Sequence, residues 1–233
     1  MLKMEFIKRE NEIIKAIKSM AEAKLDFVVV GGYAVSALAR HRFSVDCDIV
    51  IPKKLEDFEE ILEKEGFKKH IEKRGFNEIY TGEFVSYVKD VAGLSVSIDF
   101  LVGSLVCRAT QAAWSFDYVK KFSILANIPG TEMSVICRVP EKELLIAFKI
   151  HSARRTDVRD MVMLMENADL EKVLKHVKRG NVQALKEQIK KVILSLKDKN
   201  LVDSLKGVFT LSEDVKKQIK SARKDMEAIL KAI

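Results

Sequence analysis

The stretch that predicts the fold of this chain lies at residues 30–51 and reads VGGYAVSALARHRFSVDCDIVI. It starts at the end of a short β-branched run and passes through two glycines into a segment of helical composition. It ends in a second predicted strand, 46–51. Because successive side chains of a strand point to opposite faces of its sheet, we expect Asp46 and Asp48 to share one face. The other face is then apolar and carries Val45, Cys47, Ile49 and Ile51.

Two carboxylates on one face of a strand indicate a site for a divalent cation. Asp46 and Asp48 would lie about 6.6 Å apart along the strand and would repel each other unless positive charge lay between them. Mg²⁺ binds proteins through one or two carboxylates together with the phosphates of a substrate, so it suits such a face. The alternative interpretation of these two acids is a solvated edge strand.

A third acid follows the same pattern later in the chain. The strand predicted at 94–101 places Asp99 on one face with Ser95 and Ser97, opposite a fully apolar face. Three carboxylates from two strands could hold two Mg²⁺ ions about 3.5–4 Å apart, as in an in-line phosphoryl displacement. Asp99 would bind the ion nearest the acceptor hydroxyl and could take its proton. A salt-bridged or capping role for Asp99 is the alternative.

The paired glycines, Gly31 and Gly32, come between a predicted strand and a predicted helix. Glycine lets backbone N–H groups approach a phosphate closely, and the start of a helix favours negative charge. An ordinary turn would explain the same pair. The surrounding residues contain neither the G-x-G-x-x-G dinucleotide fingerprint nor the G-x-x-x-x-G-K-[ST] P-loop.

Taken in order, these features resemble the nucleotidyltransferase superfamily related to DNA polymerase β. Its motif is a Gly-Gly or Gly-Ser pair, about a dozen residues, an Asp-x-Asp strand and a later strand with one Asp. The matching residues here are Gly31, Gly32, Asp46, Asp48 and Asp99. The resemblance implies that the three acids are catalytic and bind two Mg²⁺ ions, and that the glycines contact the nucleotide, ATP or another NTP.

Within that superfamily, the spacing Arg42-x-Ser44-x-Asp46-x-Asp48 is most similar to the AbiEii-type branch. This branch includes toxins of type IV toxin–antitoxin systems, some of which modify the acceptor end of tRNA. The resemblance covers residues 25 to about 165. It implies that Arg42 and Ser44 orient the triphosphate, and it is compatible with an RNA or tRNA acceptor and with an antitoxin partner. Surface or structural roles are the alternatives for Arg42 and Ser44.

The same branch has a lysine on a helix after its sheet, followed by an arginine-rich segment with two acids. The corresponding residues here are Lys149, Arg154, Arg155, Asp157 and Asp160. The residue before the first acid is Thr156 where the branch has lysine, which weakens this part of the match. Lys149 would contact the triphosphate if it turned inward, and would otherwise be a surface lysine. The two acids are more simply explained as first-turn helix acids behind an N-cap at Thr156.

The positive charge of the chain lies in its last two-fifths. The formal net charge is +7, and residues 141–233 carry 21 Lys and Arg against 14 Asp and Glu. The first 140 residues are balanced. A basic region beside a neutral one favours a polyanionic partner, so the basic helices are predicted to hold an RNA acceptor. A solvated lysine-rich surface is the alternative.

Composition excludes several other classes of protein. Apolar residues make up 48% and charged residues 32% of the chain, as in globular proteins. The longest apolar stretch falls short of the roughly 20 residues of a membrane span, and the charged N-terminus is no signal peptide. Three cysteines without a C-x-x-C argue against a disulfide framework or a zinc ribbon. We therefore expect a cytoplasmic protein with no membrane partner.

The periodicity predicts an α+β fold. It consists of a mixed β-sheet nucleotidyltransferase core flanked by helices, residues 1–140, followed by a C-terminal all-helical region, 141–233. Helices are expected at 4–24, 33–40, 53–64, 107–118, 141–153, 156–166, 170–177, 182–196 and 212–230. Strands are expected at 27–30, 46–51, 78–80, 84–88, 94–101, 122–128 and 134–139.

The function predicted from these features is nucleotidyl transfer. An acceptor hydroxyl would attack the α-phosphate of an NTP and release pyrophosphate, a reaction of the EC 2.7.7 type that needs no covalent enzyme intermediate. Two alternatives remain open. One is the same chemistry on a protein or small-molecule acceptor, and the other is a non-catalytic nucleic-acid-binding module on the same fold.

Overall fold

The structure is a computed structural model that describes residues 2–74, 83–209 and 215–233. The strands are β1 (Val28–Val29), β2 (Asp46–Ile51), β3 (Lys68–Arg74), β4 (Glu83–Val91), β5 (Leu94–Val102), β6 (Ser104–Cys107), β7 (Ala112–Ser115), β8 (Ser123–Pro129) and β9 (Ser134–Pro140). The first helices are α1 (Leu2–Glu22), α2 (Gly31–Leu38), α3 (Glu56–Lys64) and α4 (Phe116–Lys121). The later ones are α5 (Lys142–Ser152), α6 (Arg155–Leu164), α7 (Leu170–Val177), α8 (Val182–Ser195), α9 (Leu201–Val208) and α10 (Val215–Ala232).

The chain divides into two compact units, and most of the first 140 residues belong to the first of them. The first unit contains residues 1–37, 41–105 and 114–140. The second contains 141–233 together with two short segments from earlier in the chain, 38–40 and 106–113. Each unit therefore has its own core.

The first unit is built on a five-stranded sheet with the order β1-β2-β5-β4-β3. Strands β2 and β5 are parallel, whereas the other neighbouring pairs are antiparallel. Helix α1 packs on β4, β5 and β9, and its side chains of Ile13, Ile14 and Ile17 are fully buried. This arrangement confirms the predicted α+β fold with a mixed sheet flanked by helices.

The second unit is organised around α5, which contacts α6, α7 and α8. Eight of the eleven residues of α5 are buried, so this helix is enclosed on most sides rather than amphipathic. Past residue 140, the described part of the chain forms only helices and their connections, as the sequence predicts. No helix of the described residues is long and apolar enough to cross a membrane.

The early segment of the second unit lies close to its helices. The Thr110 hydroxyl and Nδ1 of His151 are hydrogen-bonded at 2.6 Å, and the Thr110 carbonyl accepts from the Asn181 amide at 2.7 Å. Gly180, with φ +67°, lies directly against this segment, and a side chain there would overlap the Thr110 carbonyl oxygen. Glycine is therefore required at residue 180 for the close approach.

Several element predictions differ from the structure. The helix expected at 107–118 is wrong, because β6, a turn through Gln111 with φ 57° and β7 occupy most of it. Alternating burial in β7, with Ala112 and Trp114 inside, explains why an apolar run there forms a strand. Helix α9 was not expected at all. The strand expected at 78–80 and the first residues of the helix expected at 212–230 lie outside the described residues.

Candidate active site

The three acids predicted from the sequence come from two neighbouring strands. Strands β2 and β5 run parallel, and their register pairs Asp48 with Asp99 and Asp46 with Ser97. Neighbouring strands lie about 4.8 Å apart, so the three carboxylates emerge within a small area of the sheet. Cys47, between the two acids of β2, is fully buried on the opposite face. The predicted alternation is therefore confirmed from Asp46 to Asp48, whereas Val45, expected on the buried face, is exposed.

Asp99 is held by serine hydroxyls on the same face of the sheet. Ser86, its register partner on β4, donates a hydrogen bond from Oγ to Asp99 Oδ1 at 2.6 Å. Burial raises the pKa of Asp99 above its ordinary value, and the negative charge of Asp46 raises it further, while hydrogen bonds from Ser86 and Ser97 oppose the shift. The result is a half-buried carboxyl with a raised pKa and a fixed orientation.

The two glycines lie inside the first turn of α2 rather than in a turn before it. The Val30 amide donates to the Asp48 carbonyl at 2.9 Å, which places the end of β1 beside the Asp-x-Asp strand. Gly31 has φ +64°, and a side-chain carbon at this residue would overlap the Asp48 carboxylate. Both its backbone conformation and its surroundings therefore exclude larger residues, so the backbone comes as close to Asp48 as it can.

Arg42 and Ser44 face the second glycine. A side-chain carbon at Gly32 would come within 2.9 Å of both the Arg42 guanidinium and the Ser44 hydroxyl. Ser44 Oγ also donates to Asp46 Oδ1 at 2.8 Å. The structure thus brings Gly31, Gly32, Arg42 and Ser44 together with the acids of β2, and their role in nucleotide binding stays a prediction.

Two residues that the sequence analysis did not identify hold the loop before β2. Ser36 Oγ and the Arg42 backbone exchange two hydrogen bonds, of 3.1 Å through the amide and 3.2 Å through the carbonyl. The Tyr33 hydroxyl donates to the Ser44 carbonyl at 3.2 Å. Both side chains project from α2, so this helix fixes the position of the arginine and the serine.

Lys149 belongs to the second unit and is 4% exposed there. Its ammonium lies 2.9 Å from Asp157 Oδ1 and 2.8 Å from Asp160 Oδ2. Although burial opposes its charge, the carboxylates of Asp160 and Asp157 raise the pKa of Lys149. The expectation of an ordinary surface lysine is wrong, whereas a role in nucleotide binding stays a prediction.

Asp157 caps the start of α6. Its Oδ2 accepts from the Arg154 amide at 3.0 Å and from Arg154 Nε at 2.9 Å. The N-cap is therefore Arg154, and the prediction of a cap at Thr156 is wrong by two residues. Burial alone would raise the pKa of Asp157, but the Lys149 ammonium and the Arg154 guanidinium lower it to about 2. The predicted capping role holds for Asp157, whereas Asp160 is a partner of Lys149.

The carboxylates of the first unit fit a divalent cation in chemical type. Among the residues that the structure describes, no three His, Cys, Asp or Glu side chains are placed closely enough to hold an ion as they stand. Asp46 and Asp99 are instead engaged by serine hydroxyls. Hard carboxylate oxygens on one face of adjacent strands are nevertheless the ligands that Mg²⁺ prefers.

Comparisons with known proteins bear on the fold. No protein-family model matches the chain, and no curated protein matches it significantly. Two structures of the antibiotic-resistance factor ANT(2'')-Ia, one in solution and one a crystal structure in complex with adenylyl-2''-tobramycin, each align with 16% identity and a TM-score of 0.38. These alignments cover 94% and 93% of this chain and 94% and 95% of the other. A TM-score below 0.5 does not establish a common fold.

A third structure is more similar. The crystal structure of an H. pylori protein, itself provisionally assigned as a nucleotidyltransferase, aligns over 96% of this chain and 94% of that one. The TM-score is 0.50 and the sequence identity 15%, which supports a common fold and says nothing of activity. The chain therefore has a nucleotidyltransferase-like fold.

Proposed function

We propose that this chain is a nucleotidyltransferase that moves a nucleoside monophosphate from an NTP, ATP included, to an acceptor hydroxyl. The observation that carries the proposal is the convergence of Asp46, Asp48 and Asp99 on one face of the sheet, beside the glycine-bearing start of α2. A protein that only bound nucleic acid would gain nothing from three mutually repelling carboxylates in one place.

In the proposed reaction, the acceptor oxygen forms a bond to the α-phosphorus while the bond from that phosphorus to the pyrophosphate oxygen breaks. Asp99, held by Ser86, takes the proton of the acceptor hydroxyl. Gly31 and Gly32 would present backbone N–H groups to the triphosphate, and the Arg42 guanidinium, which lies beside Gly32, would face its negative charge. Positioning and neutralisation of charge would supply most of the rate enhancement.

The residues proposed to hold Mg²⁺ are Asp46, Asp48 and Asp99. Bound there, two ions would neutralise phosphate charge and stabilise the attacking and leaving oxygens. Ser44 and Ser86 hold two of these carboxylates by hydrogen bonds and so keep the donor oxygens on the site face of the sheet.

We propose RNA, tRNA included, as the acceptor. The support is the excess of positive charge in residues 141–233, where 21 Lys and Arg outnumber 14 Asp and Glu. A place in the AbiEii-type branch and an antitoxin partner stay predictions from the sequence motif. Transfer to a protein or to a small molecule would instead appear as an outcome of the experiment below.

The test is label transfer with the full chain. The protein is incubated with Mg²⁺ and each α-³²P-labelled NTP in turn, with total tRNA, with a protein extract, or without an acceptor. We expect label on RNA, and we expect Asp48→Asn to reduce it to background because the site loses one of its shared carboxylates. Asp57→Asn, on the exposed side of α3, is the matched control and should leave transfer unchanged.

The other outcomes are also informative. Label on protein would change the acceptor but keep the chemistry. Transfer that survives Asp48→Asn would contradict the assignment of the acids. If neither transfer nor Mg²⁺-dependent NTP binding by calorimetry is found, the non-catalytic interpretation replaces this proposal.

A further inference from the structure

The second unit contains a cavity of about 330 Å³ that the proposed reaction does not use. It is bounded by the start of α6, the end of α8 and the start of α9, and all of its lining residues belong to this unit. Its volume is at the lower end of the range of small-molecule sites, which is about 300–1,000 Å³. It can therefore hold a ligand larger than a single ion.

Most of the charged residues that line this cavity are cationic. Arg155 and Arg159 are four residues apart on α6 and so lie on the same face of that helix. Lys191, from α8, supplies the third positive charge. Asp198 is the one carboxylate among the lining residues, and its Oδ1 accepts from the Asn200 amide at 2.9 Å. Three cations against one carboxylate leave an excess of positive charge, which favours an anionic ligand.

Two serines also line the cavity, Ser195 and Ser204. Arg159 Nη1 donates to Ser204 Oγ at 3.4 Å, a bond that joins α6 to α9 across the cavity. Because Ser204 accepts this bond, its own proton can be directed towards a bound oxygen. Ser195 also lines the cavity, but its hydroxyl donates to the Lys191 carbonyl at 3.0 Å, so Ser204 supplies the hydroxyl donor. Guanidinium, ammonium and hydroxyl donors around one concave site are the groups that recognise phosphate oxygens.

We propose that this cavity, lined by Arg155, Arg159 and Lys191, binds a phosphate group. The group belongs either to the backbone of a nucleic acid or to a free nucleotide or inorganic phosphate. Planar guanidinium groups match phosphate oxygens with two donors each, and Lys191 contributes a point charge. The inference rests on the second unit alone and does not require that the chain catalyse nucleotidyl transfer.

The test uses the full chain and three probes: a labelled single-stranded RNA dodecamer, AMP and inorganic phosphate. RNA binding is measured by fluorescence anisotropy over a range of salt concentrations, and the two small probes by calorimetry without Mg²⁺. The affinity for the probe that binds in the cavity should fall about tenfold in each of three variants, Arg155→Gln, Arg159→Gln and Lys191→Gln. If that probe is RNA, the dependence of its affinity on salt concentration should also become less steep. Lys190→Gln, on the neighbouring exposed residue of α8, is the matched control and should change affinity less than about twofold.

The probes separate the two sources of phosphate. If the cavity variants lower the affinity for RNA, the site binds the backbone of a nucleic acid. If they lower only the affinity for AMP or phosphate, the site binds a free ligand. The proposal would be overturned if Lys190→Gln and the cavity variants changed the affinity equally, or if none of the probes bound. Arg155 and Lys191 are exposed, so their variants keep the test valid if the half-buried Arg159→Gln fails to fold.

Discussion

Lys149 carries a charge that is almost fully buried, and such a charge is stable only with close partners. Removing an ammonium from water costs several kcal/mol, which the attraction to Asp157 and Asp160 offsets inside the second unit. Asp157 also binds Arg154, the N-cap residue of α6. One lysine therefore fixes the corner between α5 and α6.

Lys149→Met should destabilise the protein by about 3–5 kcal/mol, because it removes the ammonium that Asp157 and Asp160 share and leaves Arg154 as a partner of Asp157 alone. Urea unfolding followed by circular dichroism measures the change. Lys172→Met, on the exposed side of α7, is the control and should cost less than about 0.5 kcal/mol. Adding Asp157→Asn and Asp160→Asn to Lys149→Met should recover part of the stability; no recovery would show that the loss comes from packing instead.

At the scale of residues, sequence alternation was enough to find the acids. Asp46, Asp48 and Asp99 stand out because each interrupts an apolar strand, and the structure places them on one face. Ser86 could not be found in this way, because only the register of β4 against β5 brings it to Asp99. The burial of Lys149 could not be predicted either, since a lysine among apolar residues of a helix can lie on its buried face or on its exposed face.

At the scale of elements, His151 at the end of α5 joins three parts of the second unit. Its Nδ1 is hydrogen-bonded to the Thr110 hydroxyl, and its Nε2 lies 2.9 Å from the Val177 carbonyl at the end of α7. Burial, together with the nearby Arg179 charge, lowers the pKa of His151 to about 4, against the opposing effect of the Val177 carbonyl. The folded state therefore keeps this imidazole neutral.

This pKa predicts a pH dependence of stability. The folded pKa of about 4 lies below the unfolded value of 6.5, so the unfolded state binds more protons between these limits. The contribution of His151 is complete above about pH 6.5 and is lost as the pH falls towards 4, by up to about 3 kcal/mol. Urea unfolding at several pH values gives the free energy of unfolding as a function of pH. Between pH 4 and 6.5 this free energy should change less steeply with pH for His151→Gln than for the unchanged protein. An unchanged slope would contradict the prediction.

The element most difficult to predict was the one that supplies Thr110. A run of small and apolar residues at 107–118 has helical composition, yet tertiary pairing makes most of it a hairpin of β6 and β7. Helix α5, in contrast, was predicted within one residue at each end, since Pro140 precedes it and its composition favours helix throughout. Local helix preference was sufficient to predict an element where tertiary packing agreed with it. It was insufficient where strand pairing opposed it.

At the scale of the whole molecule, the second unit depends on a segment from within the first 140 residues. Residues 106–113 supply the Thr110 contacts to His151 and Asn181. A division of the chain at residue 140 would therefore leave the helical unit without this segment, although the sequence alone places a boundary there.

A fragment of residues 141–233 should accordingly unfold at a lower temperature than the second unit in the full chain. The reason is the loss of a hydrogen-bond partner for the buried His151, which costs about 1–3 kcal/mol, together with the exposed surface around it. Circular dichroism melting measures the difference, and a synthetic peptide of residues 104–115 should raise the melting temperature. Melting of the fragment at the temperature of the full chain, with no effect of the peptide, would contradict the prediction.

The origin of this segment also constrains the order of events on the ribosome. Thr110 precedes His151 by 41 residues, so at roughly 5–20 residues per second it leaves the ribosome several seconds before its partner. During that interval the first unit can complete its sheet, whereas the hairpin tip must stay available for helices that have not yet been made. Synonymous codon changes between residues 115 and 150 would lengthen or shorten this waiting time and could thereby alter the yield of folded protein without altering its sequence.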